Sequence, residues 1–152
     1  MSAVWHAVPM TSETPDTLRQ IDLTKMGAGR YRATNQRGGV LPIGSGGDPD
    51  FTPVELLLAA IAGCSAIDVD LITGKRAEAT TFLVHAQGDK IRDDQGNRMV
   101  DLKVTFEVRF PEGEDGDRAR EALPRSIAQS RDRLCTVSRT VQVGTDVEYV
   151  EA

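Results

Sequence analysis

The chain has only two cysteines and no long hydrophobic run, and both shortages exclude classes of protein. Its 152 residues are 39% hydrophobic and 27% charged. This composition is typical of a soluble globular protein and excludes collagen, broad disorder and a scaffold held by disulfides. A chain of this length can bury its core as one domain of ordinary size. With so few cysteines, a disulfide in a reducing compartment would be transient and chemical rather than structural.

The chain also lacks an excess of positive charge and a membrane-targeting pattern. Eighteen basic residues stand against 23 acidic ones, the net charge is −5, and the basic residues are scattered. No basic patch suits a phosphate backbone, so we expect no nucleic-acid partner. The start, MSAVWHAVPM, has no basic segment followed by an apolar one, and the apolar run before Asp68 is too short to span a bilayer. We therefore expect a cytoplasmic protein without a membrane partner.

Motifs for metals, phosphates and disulfide exchange are absent from the sequence. His6, His85 and the two cysteines show no ligand spacing such as C-x₂-C or H-x₃-H, so we expect no metal. His85 reads as a strand residue without a chemical role. The glycine-containing stretches GAG and SGGD do not match phosphate-binding loops and read as turns. The absence of C-x-x-C argues against general disulfide exchange, and no organic cofactor is expected.

The first part of the chain predicts an arm followed by strands. Residues 1–17 contain Pro and Ser/Thr without apolar periodicity, which indicates a loose N-terminal arm. From residue 18 the segments RQIDLTKM, RYRAT and VLPI alternate or follow glycine turns, which predicts a three-stranded meander. We expect one domain over residues 18–152.

A helix is predicted from Val54 to about Thr73. Thr52 is a candidate cap, Pro53 suits a first helical turn, and Gly74 stands at the expected stop. The helix is apolar on nearly every side, so we expect it to be buried on most of its surface. Such burial is difficult in a small domain, and homodimerisation would supply the second covering surface.

The second part predicts two strands, a helix and a final strand. TTFLVHAQGDKI and VDLKVTFEVRF read as strands joined by DDQGN, and the second alternates apolar with polar residues. PEGEDGD reads as a solvated loop, and a helix with Pro124 at its start or at a kink follows. A C-terminal strand is predicted from the alternation of Val141, Val143, Thr145, Val147 and Tyr149. Strands segregated from two helices indicate an α+β fold.

Cys64 lies in the middle of the predicted apolar helix, in the stretch LLLAAIAGCSAIDVDLI. A free cysteine is often only a small buried hydrophobe, and this is the simplest interpretation of Cys64. Asp68 follows one turn later on the same helical face. An unpaired carboxylate there would raise the pKa of the thiol, which is unfavourable for an activated nucleophile unless an arginine intervenes. Ser65 and Ser138 follow the cysteines closely and could hydrogen-bond a thiolate, although capping or back-bonding to the helix is the simpler interpretation. Arg139 could either stabilise a thiolate or form a surface pair.

The segments TPVELLLAAIAGC and CTVSRTV together resemble the family of the osmotically inducible protein C and the organic hydroperoxide resistance proteins. The resemblance covers roughly residues 18–150, and the order of elements is similar. It implies an OsmC-like fold, with antiparallel sheets around a buried central helix in an intertwined homodimer. Enzymatic members reduce organic hydroperoxides at a cysteine pair near the subunit interface and need no cofactor.

The resemblance implies a role for each cysteine. Cys64 takes the position of the peroxidatic thiol, and Cys135 that of the resolving thiol. A thiolate that attacks an O–O bond becomes a sulfenic acid, a second thiol converts it to a disulfide, and an external dithiol restores both thiols. The family also uses an arginine from the N-terminal hairpin to hold the thiolate. Arg30 is the first candidate, followed by Arg37 and Arg32.

The sequence departs from the peroxidase pattern before Cys64. The family's catalytic glutamate lies ten residues before the cysteine, where this chain has Val54, and Glu55 follows it. At about 100° per residue, Glu55 points to the side of a regular helix opposite Cys64. Glu55 therefore either anchors an arginine through a distorted first turn or stabilises the helix N-terminus, where a carboxylate is favourable.

Two functions remain open at the level of sequence. The first is a thiol peroxidase for organic hydroperoxides that uses Cys64, Cys135, Arg30 and Glu55. The second is a non-enzymatic homodimer of the same fold that binds a small apolar ligand, and the missing glutamate at Val54 keeps this alternative open.

Overall fold

The computed structural model describes residues 17–152 of the chain. The predicted N-terminal arm and His6 lie outside the described residues, except for Thr17. The chain divides into two compact units, the first ending at Asp50 and the second spanning Phe51–Ala152. Together the two units contain the strands and helices of the mixed α+β fold expected from the sequence.

The first unit contains a three-stranded antiparallel sheet. Its strands are β1 (Ile21–Gly27), β2 (Arg30–Asn35) and β3 (Val40–Ile43), and they are hydrogen-bonded in that order. The β1–β2 turn contains Gly29, whose φ of 67° is a left-handed conformation that favours glycine. The predicted meander is confirmed, and each of its turns falls at a glycine-containing stretch.

The second unit begins with the long helix α1 (Pro53–Thr73). The Thr52 side chain accepts a hydrogen bond from the backbone N–H of Glu55, and the Glu55 side chain accepts one from the backbone N–H of Thr52. This reciprocal capping box satisfies two backbone donors that a helix start leaves unpaired. Gly74 caps the other end, so both predicted ends of the helix are confirmed.

Within the single chain, α1 is fully buried along one face only. Its buried residues form one row at four-residue intervals and are Ile61, Ser65, Val69 and Thr73. Ile67 and Leu71, on another face, are each 63% exposed. The helix is long and apolar enough to cross a membrane by length and composition alone. It packs within its unit against the strands and helices described below.

A long hairpin follows α1. Strands β4 (Thr81–Asp93) and β5 (Gly96–Arg109) pair antiparallel, with Phe82 opposite Val108 near one end. Burial alternates along the last part of β5, where even-numbered residues from 104 are shielded and odd-numbered ones are exposed. The predicted strands are confirmed, and His85 lies on the solvent-exposed side of β4.

Helix α2 (Glu114–Gln129) starts earlier than predicted. The segment PEGEDGD was expected to be a loop, but the helix already begins at Glu114. The first turn contains Glu114, Asp115 and Asp117, and negative charges are favourable beside the unpaired N–H groups of a helix start. Pro124 lies inside α2 and therefore does not start it.

The C-terminal strand prediction is wrong. A five-residue π-helical turn, Ser130–Leu134, follows α2, and helix α3 (Thr136–Val143) then occupies the first part of the predicted strand. Residues 145–152 form no regular element in the described chain. A strand needs a neighbouring strand to satisfy its backbone groups, and neither sheet of residues 17–152 pairs with this segment.

Candidate functional site

Helix α1 carries the first cysteine of the candidate site. Cys64 lies between the buried residues Ile61 and Ser65 in the chain and is itself half-buried. Asp68 lies one turn further along, and residues four apart share a helical face. The helical spacing therefore places a thiol and a carboxylate side by side, as the sequence predicted.

The second cysteine lies at the junction between the π-helical turn and α3. Cys135 is fully buried, with 0% of its surface exposed, and its backbone N–H donates to the carbonyl of Ser130 at 3.0 Å. Its sulfur serves as the N-cap acceptor of α3 and receives the backbone N–H of Ser138 at 3.3 Å. Main-chain geometry on both sides thus fixes the position of this sulfur.

The fold brings the two cysteines and Asp68 together. The Sγ atoms of Cys64 and Cys135 and a carboxylate oxygen of Asp68 all lie within 4.8 Å of one another. Both cysteines are free thiols. The Oγ of Ser130 donates to Oδ2 of Asp68 at 2.9 Å, which ties the carboxylate to the turn before Cys135. The site therefore joins α1 to the π-helical turn and to the start of α3.

The pKa of the Cys64 thiol is raised from its ordinary value. The largest cause is burial, which disfavours the charged thiolate, and the neighbouring Cys135 and Asp68 act in the same direction. A hydrogen bond from the backbone N–H of Val137, in the first turn of α3, opposes the shift. The predicted effect of Asp68 on the thiol has the expected sign, although burial is the stronger cause.

The three candidate arginines all belong to the first unit. Arg30 begins β2 and forms an ion pair of 3.1 Å with Asp50, Arg32 follows in the same strand, and Arg37 lies in the β2–β3 turn. All three side chains are exposed. Their assignment to the thiolate stays a prediction.

Glu55 is engaged at the helix start. Its Oε2 accepts hydrogen bonds from the backbone N–H of Thr52 at 2.7 Å and from the Thr52 hydroxyl at 2.9 Å. These bonds lower the pKa of Glu55. The structure thus gives this carboxylate the capping role that the sequence offered as one of two alternatives, and a catalytic role for Glu55 stays untested.

A cavity of about 280 Å³ lies in the second unit, next to the residues that flank the cysteines. Most of its walls are apolar, and Ser65, Ser138 and Arg131 add polar groups. Its apolar lining residues are Ile61, Leu102, Val104, Phe106, Ile127 and Val141. The cavity can accommodate a small, mainly apolar molecule.

Sequence reasoning missed three groups of the site. Ser130 and the backbone N–H groups of Val137 and Ser138 contact the thiols or Asp68. Val137 and Ser138 belong to the segment CTVSRTV, but the sequence indicated only the Ser138 side chain as a possible partner of a thiolate, and Ser130 belongs to no motif. The sequence predicted no metal site, because its cysteines and histidines show no ligand spacing, and this stays a prediction. The three possible ligand atoms of Cys64, Asp68 and Cys135 meet only through the tertiary fold. Of these contacts, only the proximity of Cys64 and Asp68 could be predicted from the sequence, because the two residues are four apart on one helix.

Comparison with known proteins identifies the type of fold. The profile of the family described as OsmC-like protein matches residues 45–150, more than half of the chain. An uncharacterised protein of Mycobacterium tuberculosis is 26% identical over 132 residues, covering 86% of this chain and 93% of that protein.

Solved structures agree with the family assignment at the level of fold. An OsmC-like protein of unknown function from Vibrio cholerae superposes with a TM-score of 0.69 at 14% identity, covering 83% of this chain and 94% of that one. The organic hydroperoxide resistance protein OhrB of Bacillus subtilis gives a TM-score of 0.53 at 17% identity, covering 85% and 95%. An OsmC-like protein from Mycoplasma pneumoniae gives 0.65 at 16% identity, covering 84% and 89%.

Proposed function

Because the chain belongs to the OsmC-like protein family, we propose that it is a thiol-dependent peroxidase that reduces organic hydroperoxides with Cys64 and Cys135. The observation that carries this proposal is the distance between the two free sulfur atoms, which lie within 4.8 Å of each other. A pair of thiols this close can form a disulfide after a small side-chain movement. The name of the structurally similar Bacillus subtilis protein, an organic hydroperoxide resistance protein, supports the choice of substrate class.

The proposed reaction has three steps. The Cys64 thiolate attacks one oxygen of the hydroperoxide, the O–O bond breaks, and the organic fragment leaves as an alcohol after taking a proton. Cys64 then carries a sulfenic acid. The Cys135 sulfur attacks the sulfenic sulfur, water leaves, and a Cys64–Cys135 disulfide forms. An external dithiol reduces this disulfide by thiol–disulfide exchange.

Exposure supports the assignment of the two roles. Cys64 is half-buried, whereas Cys135 is fully buried, so Cys64 is the more accessible of the two residues. A resolving thiol needs access only to the neighbouring sulfenic acid. The backbone N–H of Val137 favours the thiolate of Cys64, and the backbone N–H of Ser138 donates to the sulfur of Cys135 and fixes its position.

A cation must complete the proposed site, since burial and Asp68 both oppose ionisation of Cys64. Arg30 is proposed for this role, with Arg32 and Arg37 as the next candidates, because a guanidinium stays charged and offers several donors. Replacing each arginine by alanine in turn should identify the one whose loss slows oxidation of Cys64 most. Equal, small effects of all three replacements would contradict the arginine assignment without affecting that of the cysteines.

The test of the peroxidase proposal is a titration of free thiols. Reduced protein treated with one equivalent of cumene hydroperoxide should lose two thiols per chain and gain an intramolecular disulfide detectable by mass spectrometry. Cys64→Ser should keep its remaining thiol. Cys135→Ser should accumulate a sulfenic acid that a dimedone reagent traps. Retention of both thiols in the wild-type protein under excess hydroperoxide would overturn the proposal.

The cavity supports a second candidate function, a non-enzymatic protein that binds a small apolar ligand. Its volume of about 280 Å³ and its mainly apolar walls suit such a ligand. In that case the thiols would react slowly with peroxides, because the pKa of Cys64 is raised and Glu55 is engaged as a helix cap. Retained thiols, together with an increase in melting temperature on adding a medium-chain alcohol, would favour this candidate over the peroxidase.

The protein is further proposed to act as a cytoplasmic homodimer. Ile67 and Leu71 on α1, and Val147 and Tyr149 beyond α3, are large apolar residues that stay exposed in the single chain. A second copy that covers them would give the buried helix expected from the sequence. Light scattering after size-exclusion chromatography should give twice the chain mass of 16.5 kDa, and a monomer at micromolar concentration would contradict the dimer.

A further inference from the structure

The proposed peroxidase chemistry leaves Asp68 without a role. This carboxylate opposes ionisation of the Cys64 thiol, yet it is held in place by a hydrogen bond. Its Oδ2 accepts the hydroxyl hydrogen bond of Ser130 at 2.9 Å, and the side chain is half-buried. Within residues 17–152, no ion pair to Asp68 is found. The fold thus holds three groups close together, and each of them can carry a negative charge.

These three groups have the chemistry and spacing of metal ligands. Two thiolates and one carboxylate suit Zn²⁺, which binds sulfur at about 2.3 Å and carboxylate oxygen at about 2.0–2.2 Å. Two sulfur atoms on a tetrahedral zinc are therefore about 3.8 Å apart. The ligand atoms of Cys64, Asp68 and Cys135 already lie within 4.8 Å of one another, so side-chain movements of about 1 Å suffice to bring them to zinc distances.

The surroundings of the ligands are also those of a metal site. Carboxylate ligands are commonly held by a second hydrogen bond, as Ser130 holds Asp68. The backbone N–H of Ser138 donates to the sulfur of Cys135, and such a donor stabilises a thiolate that carries charge. Cys64 is half-buried, which leaves an entry path for the ion.

We infer that the reduced protein binds one thiophilic divalent cation, with zinc as the type case, through Cys64, Asp68 and Cys135. Binding displaces the two thiol protons, and a fourth coordination position stays available to water. The site is that of the proposed peroxidase, so the inference adds a regulation to that function. A metal on both thiolates protects them from peroxide. Conversely, a hydroperoxide that oxidises the two thiolates accepts two electrons from them and two protons from the solvent. The products are the alcohol, water and the Cys64–Cys135 disulfide, and the cation is released.

Cobalt(II) tests the inference without any peroxide. Reduced protein, freed of small thiols under inert gas, should bind one Co²⁺ per chain with a thiolate-to-metal charge-transfer band in the near ultraviolet. Cys64→Ser and Cys135→Ser should each reduce that band by about half, because one of the two thiolates is lost. Adding Zn²⁺ should remove the cobalt spectrum. The protein with its disulfide formed should show no band.

The role of Asp68 is tested by affinity. Asp68→Asn should keep the thiolate band but weaken zinc binding by about tenfold or more in competition with a chromogenic chelator. Asp70→Asn, on an exposed position of the same helix, is the matched control and should bind zinc like the wild type. Ser130→Ala keeps all three ligands but removes the hydrogen bond to Asp68, so it should bind zinc more weakly than Asp70→Asn does, which provides a second test if Asp68→Asn folds poorly.

Each result separates this inference from the peroxidase proposal. A charge-transfer band that is absent from the reduced wild-type protein, or that survives removal of both cysteines, overturns the metal site whatever the peroxide assay shows. Zinc affinity that is equal in Asp68→Asn and Asp70→Asn overturns the three-ligand assignment. If the band is present while hydroperoxide leaves the metal-free thiols intact, the metal site stands and the peroxidase proposal fails.

Discussion

The hydroxyl of Ser130 donates a hydrogen bond to the carboxylate of Asp68 at 2.9 Å, between the turn that precedes Cys135 and the helix that carries Cys64. The contact joins two elements that are distant in sequence. It holds the carboxylate side of the cluster in the same way that main-chain bonds hold Cys135.

Removing this contact should destabilise the fold. Ser130→Ala should lower the free energy of unfolding by about 1.5 kcal/mol, because a hydrogen bond to a charged group is lost and the carboxylate is left with one partner fewer. Urea unfolding followed by circular dichroism measures the change. Ser126→Ala is the control, since Ser126 is equally buried but bonds only within its own helix, to the carbonyl of Ala122. A loss for Ser130→Ala no larger than for Ser126→Ala would contradict the importance of the contact.

The capping box should contribute measurably to the stability of α1. Thr52→Ala removes the side-chain acceptor for the backbone N–H of Glu55 and should cost about 1 kcal/mol. Thr52→Ser keeps a hydroxyl at the same place and should recover most of this loss. If alanine and serine at this position give the same midpoint in urea, the hydroxyl has no capping role.

Replacement of glycine by alanine should have opposite effects on stability at Gly116 and at Gly63. A Cβ on Gly116 would clash with the backbone carbonyl oxygen of Pro111, so Gly116→Ala must displace backbone and should cost more than about 2 kcal/mol. A Cβ on Gly63, inside α1, meets nothing within 4 Å. Gly63→Ala should therefore stabilise the protein by about 0.5–1 kcal/mol through helix propensity. Thermal unfolding of both variants checks the pair, and a stable Gly116→Ala protein would contradict the described start of α2.

In the absence of the proposed cation, the raised pKa of Cys64 predicts a thiol that reacts slowly near neutral pH. In a protein that carries Cys135→Ser and Arg30→Ala, the rate of alkylation by iodoacetamide should still be rising with pH at the ordinary thiol value of 9.0, because burial and Asp68 keep the sulfur protonated. Asp68→Asn in that background should increase the rate at pH 7.5 by about twofold. Asp70→Asn should not change it. A plateau below pH 7 in that background would contradict the prediction.

The raised pKa of Cys64 also makes the stability of the fold depend on pH. A group whose pKa is raised on folding contributes stability that is complete below its unfolded pKa and is lost as the pH rises through the folded value. The wild-type protein should therefore lose stability above about pH 9 more steeply than Cys64→Ser does. Urea midpoints between pH 7 and 10.5 measure this difference, and parallel curves for the two proteins would contradict the burial of the thiol.

Local signals predicted the elements that local interactions determine. Thr52, Pro53 and Gly74 mark the ends of α1 because capping and stopping depend on adjacent residues. The prediction of a C-terminal strand was wrong. It rested on alternating apolar and polar residues, and this alternation also occurs in a segment that pairs with no strand of residues 17–152. Val137 and Val141 are also four apart, which suits the helix that forms instead.

The candidate site was predictable only in part. The resemblance supplied the two cysteines, and the helical repeat supplied the neighbour Asp68. The π-helical turn that brings Ser130 to Asp68 has no sequence pattern of its own. The proximity of the three ligand atoms likewise depends on the tertiary fold. The hairpin and α2 separate Cys64 from Cys135 in the sequence, and their packing against α1 brings the two residues together.

The sulfur of Cys135 is both a reactive group and the N-terminal cap of α3. A helix of eight residues depends heavily on its first turn. Ser138, Val141 and Gln142 of that helix form part of the cavity wall. The atom that would enter the proposed disulfide is therefore also the atom on which one wall of the neighbouring cavity begins.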